Sequence, residues 1–372
     1  MDAPHLVHVF STFRAAGPQV RTTEIINRLG AEFRHTVMAM DGNVDASARV
    51  QPGIDFRVHP APPKQSSLIA PFTIAGILRG LRPDVVITYN WGAMDAVAAA
   101  RFGRIAPVIH TEDGFGPEEA VQLIGRRVLT RRILLNRIHR TVVVSKRLLA
   151  IALDRYRIRP SKVRYIPNGL DIQRFHPGGD RSLRQAWGVS PGDLVFGYVG
   201  HLRVEKNLGF LIRAFLAAAI PHARLVLVGD GAERANLEQL IRESDAGQRV
   251  ILAGAFPDPF PCLAAFDVFV MSSTTEQAPI SLLEAMACGL PCVCTDAGDT
   301  GEMLGPLESP FVVPLNDFER YCAALKAIAD GAGLRAGIGQ ENRKRCVGLY
   351  SADEMVRQYR KTYLEAVEAA SR

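Results

Sequence analysis

The sequence has no apolar run long enough to cross a bilayer, so a helical membrane-spanning protein is not expected. Its first residues, MDAPHLVHVF, lack the basic region and cleavage site of a secretory signal, which predicts a cytosolic location. Cysteine is scarce. Of the six, Cys288, Cys292 and Cys294 fall close together, but no fourth ligand stands at zinc spacing, so reduced core thiols are expected and no metal centre. An aromatic-rich basic module is also missing. The surplus of Lys and Arg over Asp and Glu, 44 against 38, therefore points away from nucleic acid and toward phosphates or a lipid surface. What is present is a globular composition, 48% hydrophobic and 22% charged, in a chain long enough for two domains with a core each.

Short apolar runs alternate with helical patterns throughout. Strands are predicted at 6–10, 35–39, 84–88, 107–110, 141–144 and 163–166, and again at 194–199, 224–228, 249–253, 266–271, 291–295 and 311–313. That alternation predicts an α/β chain of two doubly wound domains, each a parallel sheet covered on both faces. The boundaries expected are 1–175 and 176–350, with a linker in the Pro-, Gly- and Asp-rich segment 177–192. Residues 351–372 read as a helix with Met355, Tyr359, Tyr363 and Val367 on one side, packing back toward the first domain. No sequence repeat joins the halves.

The stretch 272–291, SSTTEQAPISLLEAMACGLP, carries the most chemistry. It follows a strand and passes through Pro279 into a helix ended by Gly289 and Pro291, which places Glu276 in a loop and Glu284 one turn inside the helix. The opening turn of such a helix favours an anion, with Ile280 and Ser281 supplying backbone donors. Two carboxylates beside an anion site would not hold phosphate themselves. They could accept hydrogen bonds from hydroxyls, one from a ribose and one from a transferred sugar. A nucleotide-sugar site is the reading this pattern supports.

Other loops supply candidates for the same ligand. Arg203 and Lys206 stand ahead of a helix predicted at 208–216, placed to hold a diphosphate, where an exposed charged turn is the plain alternative. Gly229 lies in a glycine turn that could face a nucleotide, and Phe256 follows a strand where backbone could meet a base. Gly17 lies in a turn-rich loop, 11–19, ahead of a helix predicted at 22–29, either a ligand loop or an ordinary connection. His110, at a strand end, is either a structural histidine or one that approaches the sugar. In the segment 118–147, Arg126, Arg127, Arg131, Arg132, Arg137, Arg140, Lys146 and Arg147 occur with no acidic residue among them, while Leu123, Ile124, Val128, Leu129, Ile133 and Leu134 recur at helical spacing. Two readings stand for this helix: a buried apolar stripe with arginines presented to an anionic membrane face, or a solvated basic face.

Together these residues resemble the retaining glycosyltransferases of the GT-B fold, the family-four-like group of bacterial polysaccharide, lipopolysaccharide and phosphatidylinositol mannosyl transferases. The similarity is densest over 194–302, where Glu276 and Glu284 match the two-glutamate signature ahead of E-A-M-A-x-G-x-P. The resemblance implies two Rossmann-like domains facing across a cleft, the first holding the acceptor and the second a UDP- or GDP-sugar. It further implies retention at the anomeric carbon, no required metal, no tightly bound cofactor, and a sugar or lipid-linked acceptor. By the same resemblance Glu284 binds the ribose, Glu276 the donor sugar and Lys206 the diphosphate; His110 lies near the reacting sugar, and Gly17 falls in the family's glycine-bearing loop. The chain departs from the pattern at His201, where relatives carry arginine, at Ala278 and Pro279, where they carry an aromatic residue and glycine, and at Ala16 before Gly17, where they carry a glycine pair. A nucleotide-sugar epimerase of related fold, or a non-catalytic subunit that binds a nucleotide or a membrane, are the rival readings.

Overall fold

The structure, a computed structural model, describes residues 3–370 except 64, 65, 67, 68, 116–118, 120, 121 and 245. Glu118, the first residue of the basic segment, lies outside the described residues. The chain divides into two units, Met1–Gly169 with Asp353–Arg372, and Leu170–Ala352.

In the first unit, β-branched and apolar runs form β1 (His5–Phe10), β2 (Arg34–Ala39), β3 (Phe56–His59), β4 (Val85–Tyr89), β5 (Val108–Glu112), β6 (Arg140–Val143) and β7 (Val163–Tyr165). All pair in parallel in the order β3-β2-β1-β4-β5-β6-β7. Helices α1 (Gly17–Leu29), α2 (Ala70–Leu81), α3 (Met94–Phe102), α4 (Gly125–Leu135) and α5 (Lys146–Asp154) fall between them in sequence. β1, β4 and β5 are buried along their whole length, so the polar residues they carry, His5, His8, Thr88, His110, Thr111 and Glu112, are enclosed together with the apolar ones. The edge strand β3 escaped the sequence reading: its Arg57 and His59 break the apolar run, and the strand is half exposed. The C-terminal helix completes this core, with Met355, Tyr359 and Tyr363 buried among Ile25, Phe33 and Phe10, and Tyr363 edge-on to Phe33 at 6.0 Å.

Two boundaries move in ways that bear on the site. α1 begins at Gly17, five residues before the expected start, because Pro18 suits a first helical turn, where its missing N–H costs nothing. Gly17 is thus a helix residue and not part of a loop. β5 runs on through Glu112, since Thr111 and Glu112 still pair with β6, so His110 sits inside the strand and not at its end.

The second unit repeats the design with β8 (Leu194–Val199), β9 (Ala223–Val228), β10 (Val250–Gly254), β11 (Val268–Met271), β12 (Cys292–Thr295) and β13 (Val312–Val313), parallel in the order β10-β9-β8-β11-β12-β13. Its helices are α6 (Leu183–Ala186), α7 (Leu208–Ala218), α8 (Arg234–Glu243), α9 (Phe260–Ala265), α10 (Ile280–Ala287), α11 (Thr300–Met303), α12 (Phe318–Asp330) and α13 (Ala332–Leu349). Successive strand residues belong to different cores: Phe196, Leu225, Leu227, Val268 and Val270 to one, Val195, Val226, Val228, Phe269 and Met271 to the other. Each face of the sheet therefore has its own packed layer. The segment 177–192, expected as a linker, lies inside this unit. Phe175 just before it and Val189 within it enter the second core, and the division falls at Gly169 and Leu170 instead. All six cysteines are buried free thiols. Glu308 is buried as well, its Oε1 accepting from the Cys292 N–H at 2.5 Å.

Candidate active site

In the second sheet the strand order reverses between β8 and β11, and loops leaving two such neighbours open a crevice at their carboxyl ends. Here the loop after β8 and the loop after β11 are stitched together. The Ser272 hydroxyl donates to the carbonyls of Lys206 and Asn207 at 2.9 and 3.1 Å, and the Thr274 N–H donates to the Glu205 carbonyl at 2.8 Å. Held this way, the Lys206 ammonium lies 2.5 Å from Glu276 Oε1, an ion pair across 70 positions of sequence, with the two side chains 23% and 11% exposed. Nearby, burial and then the Glu276 charge raise the Tyr198 phenol above its ordinary pKa, and its hydroxyl donates to the His201 carbonyl at 3.1 Å.

Pro279, extended, leads into α10, whose opening residues Ile280 and Ser281 are half-buried and carry N–H groups with no intrahelical acceptor. Glu284 is the fifth residue of that helix, one turn in, and Gly289 in the left-handed conformation (φ 72°) follows its end. The end of β12 and the loop after it hold the segment on both sides of Glu276: the Thr295 hydroxyl donates to the Ser273 carbonyl at 2.6 Å and the Asp299 N–H to the Gln277 carbonyl at 2.8 Å. A fourth loop closes the set. Leu202 N–H donates to the Asp230 carbonyl at 3.0 Å, and at Gly229 (φ 145°) a Cβ would stand 1.8 Å from the Gly200 carbonyl oxygen. Only glycine allows that approach.

Lys206 and Glu276 are thus in contact, α10 starts four residues after Glu276, and Gly229 abuts the β8 loop. Arg203 is not drawn in: half exposed, it faces Glu205 at 3.8 Å. Phe256 turns its ring to Trp187, edge-on at 6.3 Å. Ser272 and Thr274, which do the stitching, were not singled out from sequence, because their value lies entirely in which carbonyls they reach.

Two family models match the chain, "Glycosyltransferase Family 4" over residues 15–174 and "Glycosyl transferases group 1" over residues 193–330. The second spans every residue of the site just described. The chain is a GT-B glycosyltransferase. Among its relatives, an Escherichia coli UDP-Gal:alpha-D-GlcNAc-diphosphoundecaprenol alpha-1,3-galactosyltransferase is 25% identical over 78% of each chain. A GDP-mannose-dependent alpha-mannosyltransferase of Mycobacterium tuberculosis is 29% identical over 81% of this chain and 80% of its own. A crystal structure of Anabaena HepE in complex with UDP superposes with a TM-score of 0.83 at 20% identity, covering 97% of this chain and all of that one, a likeness of fold. The Escherichia coli and Mycobacterium tuberculosis relatives are both named for a nucleotide-sugar donor, UDP-Gal in one and GDP-mannose in the other.

The first unit of the glycosyltransferase holds the remaining candidates. His110 is fully buried, its Nδ1 2.8 Å from Thr88 Oγ1 and its Nε2 3.2 Å from Glu112 Oε1, so both ring nitrogens are engaged inside the protein. Behind it, Arg131 binds Glu112 at 2.7 Å and Glu119 at 3.3 Å, with its guanidinium over Trp91 and Tyr156. Arg131 holds the Glu112 carboxyl below its usual range against the opposing effect of burial, which is the larger single influence. This corrects the expected amphipathicity of the basic helix: Arg131 is as fully buried as Leu135, while Leu129 and Ile133 are exposed. A second buried pair, Arg21 with Asp113, joins α1 to the loop after β5, and Arg21 also reaches Asn168 at 3.0 Å. Two cavities, about 310 Å³ beside Met40, Ile74 and Asp95 and about 320 Å³ beside Asp267, Gly289 and Pro291, border none of Lys206, Glu276 and Glu284. Among the described residues no group of three His, Cys, Asp or Glu could hold a metal ion, and no helix is long and apolar enough to cross a membrane.

Proposed function

We propose that the protein transfers a hexose from a UDP- or GDP-sugar to a hydroxyl of a lipid-linked or polysaccharide precursor, with retention at the anomeric carbon and without a required metal. The observation that carries this reading is the Lys206–Glu276 contact beside the opening turn of α10. In it Lys206 and the N–H groups of Ile280 and Ser281 take the diphosphate, Glu276 accepts from the donor sugar's hydroxyls, and Glu284 accepts from the ribose. Gly229 lends backbone beside the Gly200 loop, Phe256 marks the end where the base would lie, and Arg203 adds a cation at the rim. His110, enclosed as it is, acts by holding Glu112 and the end of β5, a positioning role, and Gly17 opens α1 with its free N–H groups.

Negative charge grows on the diphosphate as the glycosidic bond breaks, and a lysine with a helix N-terminus offsets that charge where a cation would otherwise be needed. For retention, the departing phosphate oxygen takes the proton of the acceptor hydroxyl on the face where the new bond forms. An acceptor on a lipid carrier is in keeping with the Escherichia coli relative, whose name specifies a diphosphoundecaprenol substrate. Work at a lipid carrier would place the protein peripherally on the inner face of the cytoplasmic membrane.

Thermal unfolding in the presence of UDP, GDP, ADP and their sugars tests the site, since a ligand bound only by the folded protein raises its melting temperature. Hydrogen bonds to a charged group are worth about 1.5–3 kcal/mol, so Glu284→Ala should weaken the stabilising nucleotide roughly ten- to hundredfold. Unchanged nucleotide binding in that variant would remove the ribose assignment, and conversion of the donor with no acceptor present would replace transfer by epimerisation.

A further inference from the structure

Charge is divided unequally between the two units. The first holds 28 Lys and Arg against 17 Asp and Glu, the second 16 against 21, so the net surplus of the chain belongs wholly to the first. Within the first unit it is concentrated further: residues 122–164 contain 13 Lys and Arg and one acidic residue, Asp154.

Structure shows what this segment turns outward. Along α4 and just past its end, Arg126, Leu129, Ile133 and Arg137 follow one another at helical spacing, and all four are exposed, Leu129 by 55% and Ile133 by 42%. Arg137 caps the helix on the Ile133 carbonyl at 2.7 Å. The adjoining ground is basic too. Arg132 reaches the Arg155 carbonyl at 3.1 Å, and Asn136 binds the backbone of Arg157 and Arg159 at 3.0 Å each, so three exposed arginines border the end of α4. On the other side Arg101, next to the 66% exposed Phe102 at the end of α3, donates to the Arg137 carbonyl at 2.7 Å. Among the described residues none of Arg126, Arg132, Arg137, Arg155, Arg157 and Arg159 has an acidic partner. Burial first, and then Arg159, Arg140 and Arg101, hold the Lys162 ammonium below its ordinary pKa, a sign of how closely the cations crowd.

We propose that this face of the first unit docks on an anionic lipid bilayer, with Leu129 and Ile133 entering the headgroup boundary while the surrounding arginines engage lipid phosphates. A basic face alone would suit any polyanion in water. Two large aliphatic side chains at its centre gain nothing from a dissolved polyanion but gain by leaving water at the edge of the acyl layer. Crowded cations without acidic partners are repulsive until an anionic surface neutralises them. The buried Arg131 plays no part here; by binding Glu112 and Glu119 it anchors the inner side of α4, which sets the outward side.

The test uses the full-length protein and vesicles, and reads binding without turnover, so its outcome is separate from that of the transfer assay. Co-sedimentation is expected with vesicles of phosphatidylcholine and phosphatidylglycerol but not with phosphatidylcholine alone, and it should weaken at high salt. Arg126→Glu with Arg137→Glu, and separately Leu129→Asp with Ile133→Asp, should each weaken partition by roughly tenfold or more. A nucleotide-induced melting shift equal to that of the wild type shows that each variant is folded. Three results would overturn the proposal: no binding to anionic vesicles, binding that neither pair of substitutions alters, or binding that responds only to the arginine pair and is matched by soluble heparin.

Discussion

At the scale of single residues, the Lys206–Glu276 pair sets up a competition. In the free protein the ammonium is held by the carboxylate, whereas a bound donor would take the lysine with its diphosphate and the glutamate with its sugar. Partly exposed pairs of this kind are worth about 1 kcal/mol or less. Glu276→Gln should therefore bind bare UDP or GDP a few fold more tightly in calorimetry, because Lys206 is released, while sugar transfer falls by about a hundredfold or more for want of the acceptor on the donor hydroxyls. Weaker nucleotide binding in that variant would mean that the pair assists the diphosphate instead of competing with it. Both acids and the lysine were legible in the sequence from residue type and their place after strands. His110 was legible only as one of two alternatives, since a single histidine carries no mark of which neighbours its ring will meet. The strand continues two residues further than expected, because Thr111 and Glu112 still find partners in β6, and that alone moves His110 from the strand's end into its interior.

At the scale of elements, the site is a set of loops whose backbones touch, and glycine makes the contact between the loops after β8 and β9. Gly229→Ala would drive a methyl group into the Gly200 carbonyl at a φ that side chains rarely adopt, so a loss of about 3 kcal/mol or more in chemical denaturation is expected, with nucleotide binding impaired. Gly247 offers the contrast. It too has a positive φ, 54°, but nothing lies within 4 Å of a Cβ there, so Gly247→Ala should cost only about 1 kcal/mol. Equal losses at the two positions would show that backbone conformation, and not the close approach, decides. From sequence the two look alike, each a glycine in a turn beside a strand. The same holds for α4: helical spacing identified the helix, but Leu129 and Arg131 exchanged their expected sides because two buried carboxylates, Glu112 and Glu119, wait on the inner face. A hydrophobicity pattern cannot register an acid that arrives from another part of the chain.

At the scale of the molecule, the two units should lose stability at opposite ends of the pH range. In the second, burial pushes the Glu308 carboxyl up to about 8, so the folded protein keeps a proton that the unfolded chain releases near 4.5. That contribution is complete below the unfolded value and is lost as pH rises through about 8. In the first, burial and then the neighbouring His5 lower His35 to about 4; its contribution is complete above about 6.5 and is lost as pH falls toward 4. Melting temperature measured against pH should therefore decline on both sides of a maximum, and Glu308→Gln, which stays neutral, should flatten the alkaline side alone; an unchanged alkaline slope would place its origin elsewhere. By itself the sequence determined that there are two α/β units, where nearly all their strands lie and which loops carry acids, lysine and glycine, because apolar runs, turn residues and helix starts act within a few positions of chain. Only tertiary structure decided that Lys206 meets Glu276, that His110 faces inward and that Leu129 faces water, because those outcomes depend on partners brought from far along the chain by the packing of parallel strands.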